Sequence, residues 1–135
     1  MLKQKTKTIE VGSKNYQLNK MDARTGSYVA FKLASVLAPL LNSNSSATNI
    51  GAALMGMPRQ DFDELQNLLL QTVNHLVDGS NGQQIPEPVL TAKGDFVDPE
   101  LAYDAVAVIQ LTAQAAEFNI GGFFTEAGLK LPAQN

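Results

Sequence analysis

The segment from Tyr16 to Leu41 constrains the fold most, because its hydrophobic period changes from that of a strand to that of a helix. Tyr16 and Leu18 alternate with polar neighbours, which predicts a strand. After Asp22, apolar residues recur every three or four positions, at Val29, Leu33, Val36, Leu37 and Leu40. Asp22 suits a helix N-cap, since its carboxylate can accept from first-turn amides. Pro39 predicts that the helix ends or kinks there. A strand therefore leads directly into a helix.

A β-hairpin is predicted before this helix, from Thr8 to Leu18. Ile9 and Val11 alternate with polar residues, and residues 12–15 supply a turn. Because an isolated hairpin is marginally stable in water, it must pack against helices.

The middle of the chain predicts two helices and then a loop. A short helix is expected from Thr48 to Met57. A longer amphipathic helix should run from Pro58 to about Val77, with its apolar stripe at Phe62, Leu65, Leu69, Val73 and Leu76. Leu70 lies on the opposite, polar face and is expected to point at water or at a partner. Residues 78–88 form the strongest loop signal. Residues 89–97 are ambiguous, with a short strand beside the hairpin as one alternative.

The last predicted helix runs from Asp98, its N-cap, to about Phe118, with Pro99 in its first turn. It carries two adjacent apolar stripes, of which the second is Ala102, Val106, Ile109, Ala113 and Ala116. A helix apolar over so much of its circumference is either central to the domain or shared with another molecule. Phe123 and Phe124 follow it, either as a lid on the core or facing outward.

These elements predict an α+β, mainly α fold, in which an N-terminal β-hairpin packs on a bundle of three to four helices. A chain of 135 residues is most simply one domain. We assign it to residues 1–120, with a C-terminal tail at 121–135.

The residue types argue against an enzyme. Cysteine is absent, which excludes thiolate chemistry, and the single histidine, His75, is expected inside an amphipathic helix. Acidic residues cluster at 61–64 and at 95–104, but acidic helix starts explain both clusters, so we predict no metal and no cofactor. A net charge of −3 argues against nucleic-acid binding. No apolar run reaches the ~20 residues that cross a membrane.

Two segments resemble a known family. Residues 16–28, YQLNKMDARTGSY, resemble the strand-to-helix junction of tail assembly chaperones of long-tailed bacteriophages and prophages. Residues 118–124, FNIGGFF, resemble the way in which those proteins end.

The resemblance implies a protein that binds the tape measure protein and helps recruit tail tube subunits around it. It also implies self-association as a homo-oligomer, action in the host cytoplasm and absence from the mature virion. Many members have a second form, made longer by ribosomal frameshifting. We expect the partner-binding residues to be Leu70, Phe118, Phe123 and Phe124.

Two other classes of function stay open at this point. One is a structural virion component, such as a head-tail connector or tail completion protein. The other is a small adaptor or regulatory protein.

Overall fold

The computed structural model describes residues 5–37 and 57–121, with side chains up to Leu33 in the first range. Its elements, in chain order, are strand β1 (Thr6–Val11), strand β2 (Lys14–Asn19), helix α1 (Ala23–Leu37), helix α2 (Arg59–Leu70), strand β3 (Val73–Asp78), strand β4 (Gln84–Pro88), a 3-10 turn (Leu101–Tyr103) and helix α3 (Ala105–Ile120). The helix expected from Thr48 to Met57 lies almost wholly outside the described residues.

The four strands form one antiparallel sheet in the order β1-β2-β3-β4. The predicted N-terminal hairpin is present, and its two-residue turn places Gly12 at φ 57° and Ser13 at φ 66°. Positive φ at both positions gives the turn a twist that matches paired strands. Asp22 also caps α1 as predicted, because one of its carboxylate oxygens accepts from the Thr25 N–H over 3.0 Å.

The predicted architecture, a hairpin on a mainly helical bundle, is wrong. The hairpin is half of the four-stranded sheet, and residues assigned to a helix and to a loop form its other half. Helix α2 ends at Leu70, and the Val73–Asp78 segment turns back to pair with β2, with Leu18 opposite Val73. The Gln84–Pro88 segment, expected as loop, pairs with β3.

The last helix begins later than the sequence predicts. Asp98 and Pro99 precede a separate 3-10 turn, and the N-cap of α3 is Asp104, whose side chain accepts from the Ala107 N–H over 3.1 Å. Residues 89–97 form a tight loop in which Leu90 and Phe96 make an isolated bridge.

The core lies between one face of the sheet and the helices. Tyr16 and Leu18 of β2 and Val73 of β3 project from that face and are fully buried. Buried side chains of the helices are Val29, Ala30, Leu33, Leu65, Leu69, Leu70, Ala107, Leu111, Thr112, Ala115, Ala116 and Ile120. The helices are thereby fixed on one side of the sheet.

Candidate partner-binding surface

The start of α3 carries the most exposed large apolar side chains of the described residues. Tyr103, just before the helix, is 93% exposed, and Val106 in its first turn is 67% exposed. Ile109 and Ala113 follow Val106 at helical spacing and are half-buried. We call these four residues the α3 ridge. Exposed apolar side chains at helical spacing are suited to contact with another apolar surface.

The opposite side of α3 explains why the ridge faces outward. Ala107, Leu111 and Ala115 point into the core, one turn apart. Thr112 is also buried, and its hydroxyl donates to the Val108 carbonyl at 2.8 Å and accepts from the Gln66 side chain of α2 at 3.2 Å. These contacts set the rotation of the helix about its axis. The ridge is therefore held on the surface by packing on the other side.

The junction between β2 and α1 meets the far end of α3. The side-chain oxygen of Asn119 accepts from the Met21 N–H at 2.8 Å, and its amide donates to the Ala115 carbonyl at 2.9 Å. The Lys20 ammonium donates to the Phe118 carbonyl and lies 4.3 Å from the centre of the Phe118 ring. These bonds tie the last turn of α3 to the junction between β2 and α1.

A cleft of about 420 Å³ opens beside this junction. Its lining is mostly polar: Asn19, Lys20, Met21, Asp22, Thr25, Leu68, Gln71, Thr72 and Asn74. Hydrogen bonds from Thr25 lower the pKa of the Asp22 carboxyl below its ordinary value. Most of the residues that line the cleft carry amide, hydroxyl or charged groups, whereas the α3 ridge is apolar, so the ridge is the better match for an apolar helix.

A second exposed group joins α1 to α2. The Tyr28 hydroxyl donates to Glu64 at 2.8 Å, and the Lys32 ammonium lies 2.7 Å from Glu64 and 3.2 Å from Asp61. The hydrogen bond from Lys32, together with that from Tyr28, lowers the pKa of the Glu64 carboxyl. Phe31 is next to this group and is 56% exposed. The group links α1 to α2 at the surface.

The outcome differs among the four predicted partner-binding residues. Leu70 is only 2% exposed, so the expectation that it points at water is wrong: α2 ends at this residue, and its side chain packs in the core with Leu69. Phe118 is partly buried and packs against the core. Phe123 and Phe124 lie outside the described residues.

Sequence reasoning did not single out Tyr103, although Val106, Ile109 and Ala113 stood in the second predicted stripe of the last helix. A signal was present in its position, since in a helix that begins at Asp98, as the sequence predicts, an aromatic ring three residues before Val106 lies on the same face.

The single histidine is in a strand rather than in the predicted helix. His75 of β3 stacks on Tyr16 with 5.0 Å between ring centres, and burial raises the pKa of the Tyr16 hydroxyl. Within the described ranges, no three acidic or histidine side chains are grouped so as to hold a metal ion. No helix in the same ranges has the length and apolar character needed to span a membrane.

Comparison with known proteins gave one family. The family model described as phage tail assembly chaperone protein, TAC, matches residues 12–131. The matched range contains both segments that resemble such chaperones and the whole α3 ridge. Neither the curated proteins nor the solved structures yielded a significant match. Because the family model covers most of its length, the chain belongs to the phage tail assembly chaperone family.

Proposed function

We propose that this chaperone binds the tape measure protein during tail assembly and helps recruit tail tube subunits around it. The observation that carries the proposal is the exposure of the α3 ridge, in which Tyr103 is 93% and Val106 67% exposed at one end of the helix. A family with an assembly role and a surface with unburied apolar groups both favour a protein partner.

An unassembled tape measure protein would present long apolar helical stripes to water. A helix of this kind binds by packing its apolar stripe against an apolar surface on the partner. Val106, Ile109 and Ala113 form such a surface along α3. Binding at each stripe should be weak, so that the growing tube can displace the chaperone. Many weak contacts along one long partner still give a high overall avidity.

The proposed contact surface also includes aromatic residues beyond the ridge. Phe118 lies at the end of α3, and Phe123 and Phe124 follow it in the sequence. Leu70 does not belong to this surface, because it is buried in the core. Aromatic side chains carry large apolar area with few rotatable bonds, which suits them as anchors.

The same proposal places the chaperone in the host cytoplasm and outside the finished particle. Mass spectrometry of purified virions tests the second part. Peptides of this chain should be absent from particles whose tube and tape measure proteins are readily detected. Stoichiometric amounts in the virion would favour a structural component instead.

The decisive experiment compares Val106→Glu with Ile85→Glu. Val106 lies in the first turn of α3, where a negative charge is favourable, so the substitution should leave the fold intact. Ile85 is 52% exposed on β4 and is not part of the ridge, which makes it a matched control. Binding is measured by calorimetry on a tape measure fragment from the same phage.

We expect Val106→Glu to raise the Kd about tenfold or more, because burying one valine contributes about 1.5–3 kcal/mol. Ile85→Glu should leave the Kd unchanged. Equal binding by wild type and Val106→Glu, or equal loss in both variants, would contradict the proposed surface.

A further inference from the structure

The two edges of the sheet are built differently. Two hydrogen bonds that flank β4 show which of its residues face β3. The Gly79 N–H donates to the Gln83 carbonyl at 2.7 Å, and the Val89 N–H donates to the Val73 carbonyl at 3.2 Å. Because antiparallel ladders alternate, the odd-numbered residues of β4 bond to β3 and the even-numbered ones point away from it. The outward positions are therefore Gln84, Pro86 and Pro88, and two of them have no N–H to donate. This edge is protected against further strand pairing.

The β1 edge has no such protection from proline. The Lys20 N–H donates to the Lys5 carbonyl at 3.0 Å, so the odd-numbered residues of β1 bond to β2. Thr6, Thr8 and Glu10 then direct their N–H and carbonyl groups outward, and all three keep their donors. Among the residues that the structure describes, none pairs with this edge. Within the described ranges, a row of backbone groups is thus left for another strand.

We propose that β1 pairs with β1 of a second copy of this chain, in an antiparallel register centred on Thr8. Thr8 then lies opposite Thr8 of the second copy, and Thr6 lies opposite Glu10 in both directions. These three pairs are the hydrogen-bonded ones and exchange two bonds each. The two sheets become one continuous eight-stranded sheet with the helices of both copies on the same face.

The residues of β1 are compatible with a second copy in this register and disfavour the neighbouring ones. In the register centred on Thr8, Lys7 lies opposite Ile9 of the second copy, where its aliphatic stem can cover that side chain. Sliding the pair to a centre on Lys7 would place two lysines directly opposite each other, which is destabilising. Sliding it to a centre on Ile9 loses one of the three hydrogen-bonded pairs. Of these three registers, the one centred on Thr8 therefore forms all three hydrogen-bonded pairs and places no like charges opposite each other.

This interface is separate from the α3 ridge, so it can fail without affecting the proposed function. The first test is the solution mass of the full chain by light scattering over a concentration series. We expect a reversible dimer with twice the 14.5 kDa mass of one chain. Thr8→Pro removes one outward donor without removing a bond to β2, as the natural prolines do on β4, and should raise the dimer Kd at least about tenfold.

The matched control is Gln84→Pro, the same kind of change at an outward position of the opposite edge. It should leave the dimer Kd unchanged. Circular dichroism verifies that both variants are folded. A monomeric wild-type chain, or a dimer that Thr8→Pro leaves intact, overturns the proposal.

A cross-linking test does not depend on the proline variant. The chain has no cysteine, so Thr8→Cys introduces a single thiol. In the proposed register the two Cα atoms at this position lie about 5.5 Å apart, within the range that a disulfide spans. Thr6→Cys places its two thiols about four residues apart along the strands, or ~13 Å, which is too far. Rapid oxidation to a disulfide dimer by Thr8→Cys alone supports the register, whereas equal or faster cross-linking by Thr6→Cys overturns it.

Discussion

The side-chain oxygen of Asn119 accepts a hydrogen bond from the backbone N–H of Met21 at 2.8 Å, across 98 residues of sequence. The Asn119 amide also donates to the Asn19 carbonyl at 3.4 Å and to the Ala115 carbonyl at 2.9 Å. One side chain therefore links the last turn of α3 to the junction between β2 and α1. The two segments that resemble phage chaperones meet at this point.

We expect Asn119→Ala to lower the free energy of unfolding by about 1–3 kcal/mol, because the part-buried Met21 N–H loses its acceptor. Urea denaturation followed by circular dichroism measures the change. Asn81→Ala, in the exposed β3–β4 turn, is the control and should change the stability by less than about 0.5 kcal/mol. Similar effects of the two substitutions would show that the link does not hold the domain together.

Leu70→Ala should be among the most damaging single changes. Its side chain is 2% exposed in the hydrophobic core, and truncating a buried leucine costs about 2–5 kcal/mol through lost burial and the cavity left behind. The same urea experiment measures the loss. A cost below about 0.5 kcal/mol would instead place Leu70 at the surface, as the helical pattern of the sequence implies.

Asp104→Ala should destabilise the protein through the start of α3. The carboxylate accepts from the Ala107 N–H, and removal of an N-cap acceptor costs about 0.5–2 kcal/mol. Asp95→Ala, in the loop before the 3-10 turn, should cost less than about 0.5 kcal/mol. Thermal unfolding of both variants measures the loss of stability. If Asp104→Ala causes no loss, Asp104 is not the N-cap and α3 begins at another residue.

The hairpin and the Asp22 cap could be predicted because both depend on neighbours in sequence. Gly12 and Ser13 fix the turn, and the Asp22 carboxylate reaches an amide three residues away. Strand β3 could not be predicted in this way. Val73 and Leu76 continue the helical spacing of Leu65 and Leu69, and only pairing with the distant β2 makes them a strand. Long-range pairing thus overrides a local period that fits a helix.

The same reasoning explains the outcome for the candidate surface. The second stripe of the last helix contains Val106, Ile109 and Ala113, and the sequence left open whether it is buried or shared. The answer depends on the rotation of α3, which Leu111 and Thr112 set through contacts with elements far away in sequence. The prediction that Leu70 points at water was wrong for a related reason: α2 ends at this residue, whereas the sequence predicts that the helix continues.

Stability should depend on pH through Glu64. Its pKa lies below the ordinary value of 4.5 because of the hydrogen bonds from Lys32 and Tyr28. A lowered carboxyl pKa stabilises the folded state above pH 4.5, and this contribution is lost as the pH falls through the folded-state pKa. In Glu64→Gln, the melting temperature should therefore fall less steeply below pH 4.5 than in the wild type. If the melting temperatures of the two proteins fall equally steeply below pH 4.5, the Glu64 contacts contribute nothing to stability in solution.

Removing Gly122 to Asn135 should weaken binding to the tape measure fragment and leave the domain folded, because this range carries Phe123 and Phe124 but none of the described core. The matched control removes only Glu126 to Asn135 and keeps both phenylalanines. Calorimetry should give a Kd raised about tenfold or more in the longer deletion alone, since burying one phenylalanine contributes about 1.5–3 kcal/mol. If both deletions bind as the wild type does, the α3 ridge acts without the terminal aromatics; if both weaken binding equally, the contact lies beyond residue 125.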